Sequence, residues 1–354
     1  MTPRAPLATD TRSSRWPTVA GAVVLLTAIT GLLLTAFAWP SVRSSVHDVP
    51  IAVAGPATAV APIRTVLEQR LPGGFEITEV SDTAAAEQLI RDREVYGAID
   101  VSSGPPQVII ASAAGTAVAQ TLQTIANGLG QANVPGPPVR DLAPLPAGDP
   151  RGAGLAAGAL PLVMGGLLAA VLMTGLVRGS GRRVIGALAF AAIGGSAVAA
   201  ILQFWLGSLS GPYPANAGAV ALTIAATSLT VLGLESLLGN LGIGIGAVAM
   251  MLIGNPLSGA ATAPEMLPGW SGRLGQLLPP GAGGQLLRST AFFDGRGAVQ
   301  PVIVLVTWFL FGVLLCLVGG LRARRAATVA AGLPTGARSA GGYEVHDAQA
   351  DVAT

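Results

Sequence analysis

Pro301-Val-Ile-Val-Leu-Val-Thr-Trp-Phe-Leu-Phe-Gly-Val-Leu-Leu-Cys-Leu-Val-Gly-Gly-Leu321 carries no charged residue and is closed by Arg322-Ala-Arg-Arg325. About 20 apolar residues, rising ~1.5 Å each, cross the ~30 Å of hydrocarbon in a bilayer. Arginines clustered at one end mark the side that stays in the cytoplasm. The stretch therefore reads as a membrane-crossing helix whose C-terminal end faces the cytoplasm. Comparable runs occur at Thr18–Trp39, Gly154–Val177, Val184–Leu206, Ala217–Leu238 and Leu241–Ala261. A soluble core has no use for so many runs of this length. The expected fold is an α-helical integral membrane protein with six transmembrane helices in a one-plus-five layout. A small α/β extracytoplasmic domain is inserted after the first helix.

Three basic clusters orient the chain. Arg4, Arg12 and Arg15 precede the first run, Arg178, Arg182 and Arg183 separate the second from the third, and Arg322–Arg325 follow the last. With the N-terminus inside and the helices alternating, all three fall on the cytoplasmic side. The expected domains are a cytoplasmic arm over 1–16, a first helix over 17–39 and an extracytoplasmic α/β domain over 40–133. A proline-rich linker over 134–153 follows, then a five-helix membrane domain over 154–321 with an external Pro/Gly-rich segment at 262–300. The remainder, 322–354, is a disordered cytoplasmic tail by its Gly, Ala and charged composition. The expected location is the cell membrane, multi-pass, with both termini cytoplasmic. Two readings of the first run stand side by side. Ala36-Phe37-Ala38 has the form of a signal-peptidase site, whereas the run's length and Trp39-Pro40 fit an uncleaved anchor. The glycine-rich run at Leu241–Ala261, which closes near Asn255-Pro256, is either a span or a re-entrant segment. Non-helical backbone survives at membrane depth only under cover of protein or water.

Between the first two spans the pattern shortens. Pro50–Ala54 is an apolar run bounded by Gly55-Pro56, and Phe75–Val80 alternates apolar and polar residues, so both read as strands. Val95–Val101 and Gln107–Ala111 read as two more. Helical spacing covers Ala59–Leu71, Ala84–Arg93 after the capping oxygens of Ser81-Asp82-Thr83, and Ala114–Leu129. The expected order is β-α-β-α-β-β-α. Six prolines in Asn133–Pro150 predict an extended connection into the second span.

Composition removes several chemistries. The 354 residues are 51% hydrophobic and 11% charged, with a net charge of +2, and every basic residue is Arg. Without lysine there is no Walker A loop and no Schiff base. Arginines that flank spans are topology signals, not a nucleic-acid surface. The single cysteine, Cys316, sits in the last run, and His47 and His346 stand far apart, so no metal cluster is expected. The acidic residues from Glu68 to Asp100 alternate with Arg64, Arg70, Arg91 and Arg93, as on a solvated face. No nucleophile–base pair is evident, and neither an enzyme site nor a cofactor is expected.

The block Gly254-Asn-Pro-Leu-Ser-Gly259, Pro264-Glu-Met-Leu-Pro268, Leu278-Pro279 and Arg288 precedes the last span. With the strand Val49–Val53, the stretch Val95-Tyr-Gly-Ala-Ile99 and the one-plus-five layout, it resembles the type-2 ABC exporter permeases, in particular their YhgE/Pip-like branch. The resemblance covers most of Thr18–Leu321. It implies a permease that forms a homodimer or a heterodimer with a second permease and is driven by a separate ATP-binding cassette subunit. It places Gly259, Pro264, Pro268 and Pro279 near an external gate. It places the contact with the ATPase at the loop of Arg178, Arg182 and Arg183. Proline and glycine within Gly259–Gly284 argue on their own for a segment lying on or dipping into the outer headgroup layer, in contact with lipid.

Polar residues within the spans are few: Gln203, Glu235, Asn240 and Asn255. Such residues are functional candidates by default. Their scarcity speaks against proton relays and for an apolar or amphipathic cargo. Gly154-x-x-x-Gly158 and Gly242-x-x-x-Gly246 have the spacing of close helix packing. Two function classes follow: an exporter permease, or a non-transporting scaffold or receptor presenting its α/β domain.

Overall fold

The computed structural model describes residues 15–129, 137–260 and 262–331. The arginines Arg4 and Arg12, the start of the expected linker and most of the expected tail lie outside the described residues. Helix α1 (Trp16–Val42) begins after Arg15 with Pro17 in its first turn, where a missing N–H costs no bond. Its apolar window is wholly unburied. An all-round apolar surface of this kind suits lipid on every side.

A five-stranded sheet follows. Its elements are β1 (Val49–Ala54), α2 (Ala57–Arg70), β2 (Phe75–Val80), α3 (Thr83–Arg91), β3 (Gly97–Asp100), β4 (Gln107–Ile110), α4 (Thr116–Leu129) and β5 (Val139–Asp141). The strand order is β2-β1-β3-β4-β5. Only the β3–β4 pair is antiparallel. Strand β1 is apolar and buried on both faces, as befits a strand with a neighbour on each side and helices above and below. Ile51 faces one core with Leu67, Ile99 and Leu122. Ala52 faces the other with Ala86, Ile90 and Ile109. This is the period-two division of a strand. Asp82 caps α3 by accepting from the Ala85 amide at 2.9 Å.

The sequence reading placed these strands and helices, with one omission. Part of the expected linker is strand β5, which pairs in parallel with β4. The Ser112 hydroxyl donates to Asp141 at 2.6 Å and fastens the new edge.

The remaining helices are α5 (Ala153–Leu176), α6 (Ser180–Ala200, continued by a π turn over Ile201–Trp205), α7 (Tyr213–Leu238), α8 (Asn240–Ala247, continued by a π turn over Val248–Gly254), α9 (Ser271–Gln276), α10 (Pro279–Phe292) and α11 (Val299–Ala331). Helix α7 is the axis of the bundle and packs against α5, α6, α8, α10 and α11. Small residues make that possible. A side-chain carbon at Gly195 would meet the Ala221 backbone at 2.8 Å, and one at Gly312 would meet the Leu229 carbonyl carbon at 2.5 Å. Hydroxyls buried in α7 return to its own carbonyls, as Thr223 does to Ala219 at 2.8 Å. The Thr227 hydroxyl is the exception, buried in α7 with no hydrogen-bond partner.

Among the described residues, five helices are long and apolar enough to cross a membrane: α1, α5, α6 with its π turn, α7 and α11. The expected sixth span, Leu241–Ala261, forms a shorter apolar helix over Asn240–Gly254. At ~1.5 Å per residue its 15 residues reach about 22 Å, short of a full crossing. The Val248–Gly254 π turn and the 3-10 turn over Pro256–Ser258 end it where Pro256 removes a donor.

Of the two arrangements expected for the Pro/Gly-rich segment, lying flat or dipping inward, α10 has the inward form: it buries Pro279–Gly283 and Leu286–Ser289. A side-chain carbon at Gly283 would sit 2.5 Å from Thr223, ten residues into α7. The Trp308 indole donates to the Leu277 carbonyl at 2.8 Å. Helix α10 is thus a wedge whose first turn lies deep between α7 and α11, with Phe292 back at the level of the sheet.

Candidate functional site: the junction of sheet and wedge

Chain turns bring two arginines to this junction from opposite directions. Arg93 follows α3 in the left-handed region, φ 63°, unusual for a side chain of its size. That turn swings its guanidinium away from the sheet onto α10. Nη1 donates to the Gln285 carbonyl at 3.0 Å and to the Ser289 hydroxyl at 2.6 Å, and Nη2 donates to the Gln285 side chain. The guanidinium lies 5.3 Å from the centre of the Phe293 ring, a cation–π distance. Burial pushes Arg93 down to about 10; Tyr96 pulls it up, Arg288 lowers it further and Glu265 raises it. Its Nε is buried with no hydrogen-bond partner.

Arg288 projects the other way, from α10 toward the sheet. It is 6% exposed. Nη1 donates to the Ala114 carbonyl at 2.8 Å, at the β4–α4 connection, and Nη2 to the Ala260 carbonyl at 2.7 Å. A third tie joins the Tyr96 hydroxyl to Glu265 at 2.7 Å. Burial, with Glu265 beside it, raises the phenol far above its usual value, so it stays protonated and donates. Met266 and Ala263 insert into the core of the sheet. The Asp92–Arg296 pair, at 3.0 Å, guards the exposed rim.

Two cavities meet at Arg288. The lower one, ≈30 Å³, is an apolar seam between α5, α7 and α10. The upper one, ≈180 Å³, lies between the sheet and the first turns of α5. Leu155, Ala260 and Arg288 line both.

The candidate gate residues fall around this junction. Gly259 lines the seam and turns the chain at φ 67°, where a side-chain carbon would stand 2.9 Å from the Pro264 nitrogen. Pro264 opens the short turn that presents Glu265. The Pro268 carbonyl accepts from the Ser271 hydroxyl at 2.7 Å and starts α9. Pro279 opens α10. Neither Pro268 nor Pro279 lines a cavity wall at this junction.

The candidate coupling loop divides in two. Arg178 and Arg182 are exposed. Arg183 is turned back into the protein: Nε donates to the Val177 carbonyl at 2.8 Å, Nη2 to the Thr174 carbonyl at 2.9 Å, and Nη1 pairs with Glu235 at 3.2 Å. Arg183 therefore closes the end of α5 onto α7, and Glu235 is its counter-ion. Gln203 bridges the other end of the bundle. It donates to the Gly211 carbonyl at 3.0 Å and accepts from Asn216 at 2.9 Å. Asn255 stands apart from both networks, where its carbonyl accepts from the Ser258 hydroxyl at 2.7 Å.

Arg93, Tyr96, Glu265 and Asn216 escaped the sequence reading as site residues. Arg93 and Tyr96 passed as surface charge and strand; their partners lie about 170 to 200 residues away. Among the described residues no group of His, Cys, Asp and Glu has a metal-binding arrangement. The chain matches no protein-family model, no curated protein and no solved structure.

Proposed function

We propose that the chain is the permease subunit of an ABC-type exporter, moving an apolar or amphipathic substrate out of the cell with a separate ATP-binding subunit as its engine. The observation that carries this reading is the wedge α9–α10. It enters between α11 and the π turn that continues α8, reaches the middle of α7, and is bonded to the sheet unit at Arg93 and Arg288. A scaffold has no need of a proline-opened helix inside its bundle under a docked external unit; a conduit with a gate does. In this reading the chain sits in the cell membrane with both termini cytoplasmic and the sheet unit outside. On the same reading it completes its sixth crossing over Asn240–Ser258 with the short helix Asn240–Gly254 and the 3-10 turn after it, and α1 packs against the π turn and the 3-10 turn. The permease works as a homodimer or a heterodimer with a second permease. Arg178 and Arg182 face the ATPase, while Arg183 holds the loop in place. Membrane lipid covers the faces of α1 that meet no other element.

The test is purification from native membranes, with mass spectrometry of co-purifying proteins and phosphate release from ATP. The expected result is an ATP-binding subunit in stoichiometric amount, and only background hydrolysis once it is stripped away. Absence of any such subunit, together with unimpaired cell-surface display of the sheet unit, would instead support the scaffold. Robust turnover by the homogeneous chain alone would overturn the proposal.

A further inference from the structure

The upper cavity has an unusual charge balance. Arg288 and Arg151 are the only charged residues lining the two cavities, and neither cavity is lined by a carboxylate. Two acids beside the wall direct their oxygens to donors other than these arginines. Asp141 accepts from Ser112, and Asp149 accepts from the Ala153 and Gly154 amides at 2.8 and 2.7 Å. Arg288 is nine-tenths buried, and its hydrogen-bond partners are neutral carbonyls. Among the described residues no carboxylate lies within ion-pair distance of it. Arg93, buried within electrostatic reach of it, has the same sign. A buried cation without a counter-charge is costly, and an anion placed beside it removes that cost.

Shape narrows the identity of the anion. At ~15 Å³ per water in this measure, the upper cavity holds roughly a dozen water-sized groups, the size of a phosphoglycerol head. Below it runs the seam, walled by Leu155, Leu162, Val163 and Leu287. A free anion has no use for an apolar extension; an amphiphile does. We propose that this cavity binds the anionic headgroup of a membrane amphiphile, with Arg288 and Arg151 as its cationic partners; the seam, with room for about two water-sized groups on the same measure, takes only the first apolar carbons beside the headgroup. That the amphiphile is also the cargo rests on the permease reading.

Binding is measured on the full-length chain in neutral detergent, without ATPase, so its failure is distinct from failure of the permease reading. The probes are phosphatidylglycerol, phosphatidylcholine and inorganic phosphate, with native mass spectrometry and thermal unfolding as readouts. The expected result is retention of phosphatidylglycerol and a raised Tm, with little effect of the other two. Arg151→Gln, at an exposed position, should weaken binding about threefold. Ala156→Phe, which fills the cavity without removing charge, should abolish the preference. Arg288→Gln should weaken binding tenfold or more, as expected for a buried charge-assisted contact. Because Arg288 also ties α10 to the sheet, the first two variants carry the test if the third fails to fold. Equal stabilisation by phosphatidylcholine would overturn charge recognition. Equal stabilisation by inorganic phosphate would overturn the lipid source. An undiminished preference in both Arg151→Gln and Ala156→Phe would overturn the site.

Discussion

Gly312→Ala tests whether α7 and α11 touch as closely as their geometry requires. A side-chain carbon at Gly312 would stand 2.5 Å from the Leu229 carbonyl carbon and from the Thr230 nitrogen. Ordinary contact begins at 3.4 Å, so the helices must part by about 0.9 Å. The obstructing atoms are backbone, so no rotamer change relieves the clash. Overpacking of this kind costs about 1–3 kcal/mol. Alanine's helix preference returns at most ~1 kcal/mol. The separation would also stretch the bond from the Thr230 hydroxyl to the Trp308 carbonyl, now 3.1 Å. At ~2.1 cal/mol/K per residue over 354 residues, a net loss of roughly 2 kcal/mol corresponds to a fall in Tm of about 3 °C. The assay is thermal unfolding in detergent, with Gly175→Ala as the control, since that position has open space around it. A Gly312→Ala protein as stable as the control would refute the close α7–α11 contact.

The remaining predictions concern topology, charge and acid. Ser103→Cys, in an exposed turn of the sheet unit, should react with an impermeant maleimide in intact cells in a Cys316→Ala background, and Gly179→Cys should not; the reverse pattern would invert the topology. Arg183→Gln should destabilise more than Glu235→Gln, because it removes two carbonyl bonds as well as the ion pair, and the double variant should be no worse than Arg183→Gln; additive losses measured by thermal unfolding would contradict a coupled pair. Burial alone would raise the Asp100 pKa, yet hydrogen bonds from Ser102 and Thr83 lower it below the ordinary carboxylate value. Its stabilisation is then complete above the unfolded pKa and is lost as pH falls through the folded value. Wild type should lose Tm more steeply than Asp100→Asn on acidification below about pH 4, and parallel profiles would show that Asp100 does not titrate with unfolding.

What the sequence disclosed was local. Phe75–Val80 alternates, Asp82 offers a cap, and β1 is apolar throughout, so each announces itself within a few residues. Strand β5 did not, because three residues among prolines, Val139–Asp141, carry no period. Its strandness comes from β4 beside it. Helix α10 was hidden by composition. Pro279, Pro280 and three glycines suggest a loop, yet prolines are tolerated in a first turn, and Gly281 and Gly283 are where Gly275 and Thr223 press closest. Hydropathy marked Leu241–Ala261 as long enough but could not reveal where its hydrogen-bond register slips into a π turn. Glycine spacing fared better. Gly242 and Gly246 do meet α7, at Leu234 and Val231. The junction was least legible, since a buried Arg93 and a solvated Arg93 are written with the same letter.

The two arginines at the junction have a mechanical consequence. Apolar surfaces slide over one another at little cost, whereas hydrogen bonds to buried guanidinium groups hold direction as well as distance. Arg93 reaches from the sheet to α10, Arg288 from α10 to the sheet, and Met266 fills the sheet's own core. Sheet and wedge are therefore tied at three points and shift as one body. The wedge's contact with α7 is of another kind: Gly283 against Thr223, whose hydroxyl is already bonded to Ala219 within its own helix. Among the described residues no hydrogen bond joins α10 to α7 itself, and the nearest tie runs from the Ser210 hydroxyl, just before α7, to the Ala291 carbonyl at 2.9 Å, so the joint between α10 and α7 is expected to yield before that between α10 and the sheet. Under the permease reading, a force that tilts α7 opens the seam beneath Arg288 and leaves the sheet bonded to the wedge. Transport would then require the α10–α7 contact to stay smooth, and Gly283, rather than any charged residue, is the position where its smoothness is decided.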